Sequence, residues 1–93
     1  MKNAKRKGSR QEHRSMALLE TMGYRCTRSA ASLGEWDVVA IGTSDVLLVQ
    51  VKSNRMPGTL ERYALQEFVV PAGVRKQIHV WKDRARLPEV HEL

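Results

Sequence analysis

The chain has 93 residues, 42% hydrophobic and 28% charged, with Lys and Arg outnumbering Asp and Glu by 16 to 10. That length supports one domain with one modest core, and no apolar run approaches the roughly 20 residues that cross a bilayer. A single cysteine excludes an internal disulfide and a cysteine-rich zinc site, which sets the chain in a reducing cytoplasm, while the net charge of +6 points to a polyanion, nucleic acid ahead of an anionic membrane.

Residues 1–8 offer little to bury, and the expectation is a basic flexible arm followed by one domain at 9–93. With Arg10 and Arg14, the residues Lys2, Lys5, Arg6 and Lys7 face Glu12 alone at the front of the chain. A solvated tail and a DNA-contacting arm are both open readings. Ser9-Arg10-Gln11-Glu12 matches a capping box and predicts a helix from Ser9, with Met16, Leu18, Leu19 and Met22 at helical spacing and Gly23 just past its end. Glu12 has two readings that do not exclude each other. It caps Ser9, or, four residues before Met16 and seven before Leu19, it lies on the stripe facing a sheet.

Tyr24 to Ser29 alternates as a first strand with Tyr24, Cys26 and Arg28 on one face; Cys26 reads as a small, half-buried thiol. Ser29 to Gly34 is a loop of small residues whose hydroxyls and amides can approach a phosphate, as can those of many plain connections. Two apolar runs, Trp36–Ile41 and Val46–Val51, then flank the turn formers Gly42-Thr43-Ser44-Asp45 and predict a β-hairpin. Centring the turn on Thr43 and Ser44 puts Asp37 opposite Gln50, where Cα atoms stand roughly 4.5–5.5 Å apart. Lys52, two residues on, shares their face, and Val49 and Val51 point the other way into a core. An acid, an amide and an ammonium thus come together, unless the hairpin is merely amphipathic with a wet charged face.

Residues 54–58 break the strand. Thr59 to Phe68 reads as a helix with Leu60, Tyr63, Ala64 and Phe68 turned inward, closed by Pro71-Ala72-Gly73. Arg75 to Lys82 alternates as a further strand, Ile78 and Val80 on one face and Trp81 on the other, and Leu87 to Leu93 adds a short edge strand. His13 is placed near phosphate, and His79 and His91 at the surface. The order αβββαβ, with four to five strands, implies a mixed α/β sheet flanked by helices.

Asp37, Gln50 and Lys52 resemble the PD-(D/E)XK nuclease signature, an acid on one strand and an acid-x-lysine on the next. The segment KGSRQEHRSMALLETMGYRCTRSAASLGEWDVVAIG followed by VLLVQVKS resembles the archaeal-type Holliday junction resolvases, with their basic start, early helix glutamate, Arg-Ser loop and paired aspartate and lysine strands. The resemblance covers Lys7 to Ser53 and continues loosely through Gln66-Glu67-Phe68 and Gly73. It implies a restriction-endonuclease-like fold, a single nuclease-like domain at 9–93, and a metal-dependent endodeoxyribonuclease acting on branched DNA as a homodimer, leaving a 5′-phosphate and a 3′-hydroxyl. Carried across, Asp37 is the principal ligand of Mg²⁺ (or Mn²⁺). Gln50 is the second ligand through its carbonyl oxygen, the Val51 carbonyl adds a bond, and Glu12 completes the site directly or through water. Lys52 orients or deprotonates the attacking water. Arg28, Ser29 and Ser32 match the loop that meets the DNA backbone, and Lys5, Arg6, Lys7, Arg10, Arg14 and Arg55 extend the basic contact surface.

Two positions depart from the pattern. Trp36 stands where proline is usual, but that residue supplies no ligand. Gln50 replaces an acid and removes a negative charge, which weakens affinity for a hard cation. Glutamine at this position also occurs in virus-type replication-repair nucleases, so a flap- or duplex-cutting enzyme is one alternative; a DNA-binding module with a decayed site is the other.

Overall fold

The computed structural model describes residues 2–29 and 32–93, with side chains described from residue 9 onward. Helix α1 (Lys2–Thr21) precedes three strands, β1 (Arg25–Arg28), β2 (Val38–Ile41) and β3 (Val46–Ser53), then helix α2 (Thr59–Glu67) and the strands β4 (Val74–Trp81) and β5 (Glu89–Glu92). The sheet runs β1-β2-β3-β4-β5, antiparallel throughout except for the parallel pair β3 and β4. A parallel pair needs a crossover, and α2 supplies it. Among the described residues no helix is long and apolar enough to cross a membrane.

The hairpin closes as its turn residues require: Gly42 N–H donates to the Asp45 carbonyl at 2.8 Å. Pairing of Val38 with Val49 and Ile41 with Val46 is the register read from the turn. Gly42 is needed because a Cβ there would meet Tyr24 Cε1 at 2.8 Å, on the ring whose hydroxyl donates to Asp45.

Strand β3 is central, and its apolar run is buried on both faces, as expected of a strand covered by helices on both sides. Leu47 and Val49 join Leu19, Val38 and Ala40 under α1, while Leu48 joins Trp36, Leu65, Ile78 and Val80 under α2. Gln50 interrupts that run at 5% exposure. It sits on the α2 side, because alternation opposes it to Val49.

Four expectations are corrected. The helix does not start at Ser9: residues 2–8 continue it without a break, because Lys, Ala and Arg are strong helix formers and an interior glycine such as Gly8 costs only about 1 kcal/mol. The inward face of α1 is Gln11, Ser15 and Leu19, all buried, while Met22 is exposed. Helix α2 turns the other way from its apolar stripe: Leu65 is buried, and Leu60 and Tyr63 are 86% and 62% exposed. Glu61, one turn before Leu65, therefore faces the sheet. His79 is also not a surface residue, since α1 covers it to 1% exposure.

Candidate active site

Asp37 lies just before β2, its backbone locked on both sides. Its N–H donates to the Val49 carbonyl and its carbonyl accepts from Ser29 N–H, each at 2.9 Å. The side chain turns back across the hairpin, and Oδ2 accepts the Val51 N–H at 2.8 Å. Val51 thus meets Asp37 through its amide hydrogen. Burial pushes the Asp37 carboxyl up to about 6 against the pull of that hydrogen bond, with the charges of Glu12 and Glu61 adding to the rise and Lys52 opposing it.

Gln50 and Lys52 share the α2 face of β3, as period two demands, and Glu61 holds both. Gln50 Nε2 donates to Glu61 Oε2 at 2.9 Å, and Lys52 Nζ reaches Glu61 Oε1 at 3.3 Å. The hydrogen bond from Gln50, and next the charge of Lys52, hold the Glu61 carboxyl below its usual range. The other amide atom is the anomaly: Gln50 Oε1 is buried and has no hydrogen-bond partner among the described residues. An unmatched carbonyl of that kind is costly in a protein interior and calls for an explanation.

The other candidates divide. Glu12 is paired with Arg28, Oε1 to Nε at 2.8 Å, and reaches Asp37 through its field. Ser29 is buried and its hydroxyl donates to the Trp36 carbonyl; Ser32, exposed, donates to the Ser29 carbonyl. Both hydroxyls therefore shape the loop from within. Arg14 bonds Gln11 and the Ala85 carbonyl and lies 4.1 Å from the Trp81 ring centroid. Arg10 and Arg55 are exposed, and the side chains of Lys5, Arg6 and Lys7 lie outside the described residues. Glu61 is the participant that sequence reasoning missed. Its signal was its place one turn before Leu65, hidden by the louder apolar stripe on the opposite side of the helix.

The family model for archaeal Holliday junction resolvases (Hjc) matches residues 3–69. The chain belongs to that family. It is therefore a nuclease of the branched-DNA class, and the match runs from α1 to just past α2, spanning Glu12, Asp37, Gln50, Lys52 and Glu61. The resolvase fold is borne out independently. The structure of Archaeoglobus fulgidus Hjc, a Holliday junction resolvase from an archaeal hyperthermophile, superposes with a TM-score of 0.73, at 22% identity over 92% of this chain and 72% of that one. No curated protein sequence matches the chain.

Proposed function

We propose that this resolvase-family nuclease hydrolyses DNA phosphodiesters at a divalent-cation centre built on Asp37 and Gln50, with Lys52 beside it, and that four-way junctions are its preferred substrate. The observation that carries the reading is the orphaned Gln50 Oε1, buried opposite a carboxylate whose own burial raises its pKa. Such a pair is short of one positive charge with open coordination. Hard oxygen donors of this kind suit Mg²⁺, and Mn²⁺ tolerates the neutral amide better. Among the described residues no three His, Cys, Asp or Glu side chains gather to hold an ion, so the amide oxygen has to count as a donor.

When bound, the cation supplies charge at the phosphate and a polarised water. The chain's own groups do the rest. Lys52, steadied by Glu61, orients the water that attacks phosphorus and offsets charge on the non-bridging oxygens as the bond to the 3′ oxygen breaks. Basic residues at the front of α1 and at Arg55 hold the backbone by charge, which places DNA without reading its sequence. The exposed apolar side of α2, with Leu60 and Tyr63, and Val69 just beyond the helix, supports a symmetric pair of subunits, the arrangement that two opposed cuts require.

The test uses labelled four-way junction, flap and linear duplex with Mg²⁺, Mn²⁺ or chelator, repeated with Asp37→Ala and Lys52→Ala. Metal-dependent cutting of the junction, lost in both variants while binding persists, is the expected result. If Asp37→Ala cuts like the parent, the site is misassigned. If the parent cuts nothing with either ion, the protein is a DNA-binding module.

A further inference from the structure

The strand position that carries an acid in the resemblance is occupied here by Gln50, yet a carboxylate does lie against it. We propose that Glu61, reaching in from the first turn of α2, is the positioning residue that makes Gln50 a usable ligand and restores the charge the strand lacks. This rests on the cation centre proposed above.

The argument begins with donors and acceptors. An ionised carboxylate only accepts hydrogen bonds, and of the two ends of a glutamine amide only the nitrogen donates. Glu61 Oε2 lies 2.9 Å from the Gln50 amide nitrogen. The opposite amide orientation would set two oxygens against each other. Glu61 therefore fixes which way the amide faces, and the geometry of a planar amide turns Oε1 away from Glu61. That oxygen is the one left buried without a partner. Gln50 is 5% exposed, so water is no substitute orienting agent. A glutamine without that restraint can turn its NH₂ toward the cation, and an NH₂ repels a cation.

The second oxygen of Glu61 does similar work on Lys52. At 3.3 Å from Nζ, it anchors the ammonium on the site's side of β3. One carboxylate thus sets both the amide of Gln50 and the ammonium of Lys52, one through each oxygen. A carboxylate at the third position of a helix often serves only the helix's positive end. Here both oxygens of the side chain go to β3.

The experiment measures Mn²⁺ binding by calorimetry without DNA, beside thermal denaturation, on the full chain. Four proteins are compared with the parent: Asp37→Ala, Glu61→Gln, Gln50→Glu, and the double exchange Gln50→Glu with Glu61→Gln. Losing a residue that orients a ligand typically weakens metal affinity 10–100-fold, and Glu61→Gln should fall in that range while melting like the parent. The double exchange returns the carboxylate to the strand and should recover affinity. Gln50→Glu alone sets two carboxylates face to face and should lower thermal stability in the absence of metal, with Mn²⁺ restoring it. Parent-like affinity in Glu61→Gln, with binding abolished in Asp37→Ala, overturns this inference and leaves the centre intact. Parent-like affinity in Asp37→Ala removes the centre itself. A double exchange no better than Glu61→Gln also overturns the inference, because charge at the strand would then not be what Glu61 provides.

Discussion

Two polar clusters lie back to back across the sheet, one buried and one half-buried, and they are opposites in a further respect. Beneath α1, Trp81 Nε1–H donates to Ser15 Oγ at 2.8 Å, and Ser15 pairs with His79 Nδ1 at 2.9 Å. His79 Nε2 pairs with Gln77 Oε1 at 3.1 Å, and Gln77 Nε2 donates to Glu92 at 2.8 Å. Each donor has an acceptor if His79 is neutral with its proton on Nε2, the tautomer the chain of donors requires. Beneath α2, the Asp37, Gln50, Lys52 and Glu61 group contains a carbonyl with no donor among the described residues and a carboxylate held above its normal pKa. Polar groups packed under a helix thus have two meanings. A closed network holds α1 on the sheet, and the open one keeps an acceptor unmatched among the described residues.

The contrast breaks first at Asp37. Asp37→Asn keeps the shape and removes the charge, so cleavage should fall by several kcal/mol of transition-state stabilisation, roughly 10³-fold. Urea denaturation without metal should show stability equal to or above that of the parent, because a buried charge has been removed. If stability drops instead, the α2 group is holding the fold together and the contrast is wrong.

Next in size is the response to acid. Burial holds His79 at about 4, against 6.5 when exposed. Between those values the unfolded chain takes up a proton that the folded chain refuses, so stability is lost as pH falls from 6.5 towards 4 and the loss levels off below that. The full difference is up to roughly 3 kcal/mol. His79→Gln should remove that share of the decline, read as the gap between parent and variant in denaturant midpoints across this window. Parallel curves would mean that His79 is protonated in the fold.

Ser15→Ala is smaller in effect and more pointed. It strips the shared partner from Trp81 and His79, leaving buried groups unpaired at about 1–3 kcal/mol. Stability should fall by about 2 kcal/mol, and cleavage by folded protein should be unchanged. A selective loss of activity would couple the two clusters.

Much of this plan is legible in sequence, for local reasons. The hairpin register follows from a four-residue turn between alternating runs, which is why Asp37, Gln50 and Lys52 could be placed on one face before any coordinates. Features that depend on what covers a surface were not legible. The alternation of β4 puts His79 and Trp81 on one side, but only the packing of α1 makes that side an interior. Ser9 reads as a cap because the capping pattern is local, whereas the helix continues on propensity from Lys2. Glu61 was lost for the same kind of reason: a nine-residue helix with one buried residue, Leu65, has no stripe strong enough to reveal its inner face.

The finest comparison uses two glutamines in the same setting. Gln50 and Gln77 lie on neighbouring strands, 5% and 8% exposed, and each gives its NH₂ to a carboxylate, Glu61 or Glu92. They differ in the other amide atom: Gln77 Oε1 meets His79, and Gln50 Oε1 has no hydrogen-bond partner among the described residues. Replacing each with leucine keeps the volume similar and removes the amide. Gln77→Leu strands the His79 N–H and should cost about 1 kcal/mol or somewhat more. Gln50→Leu removes an acceptor that was already unmatched, so its cost should be near zero or negative, while Mn²⁺ binding disappears. Equal destabilisation in the two variants would show that the Gln50 carbonyl is satisfied in solution, and the α2 cluster would then be as closed as the one beneath α1.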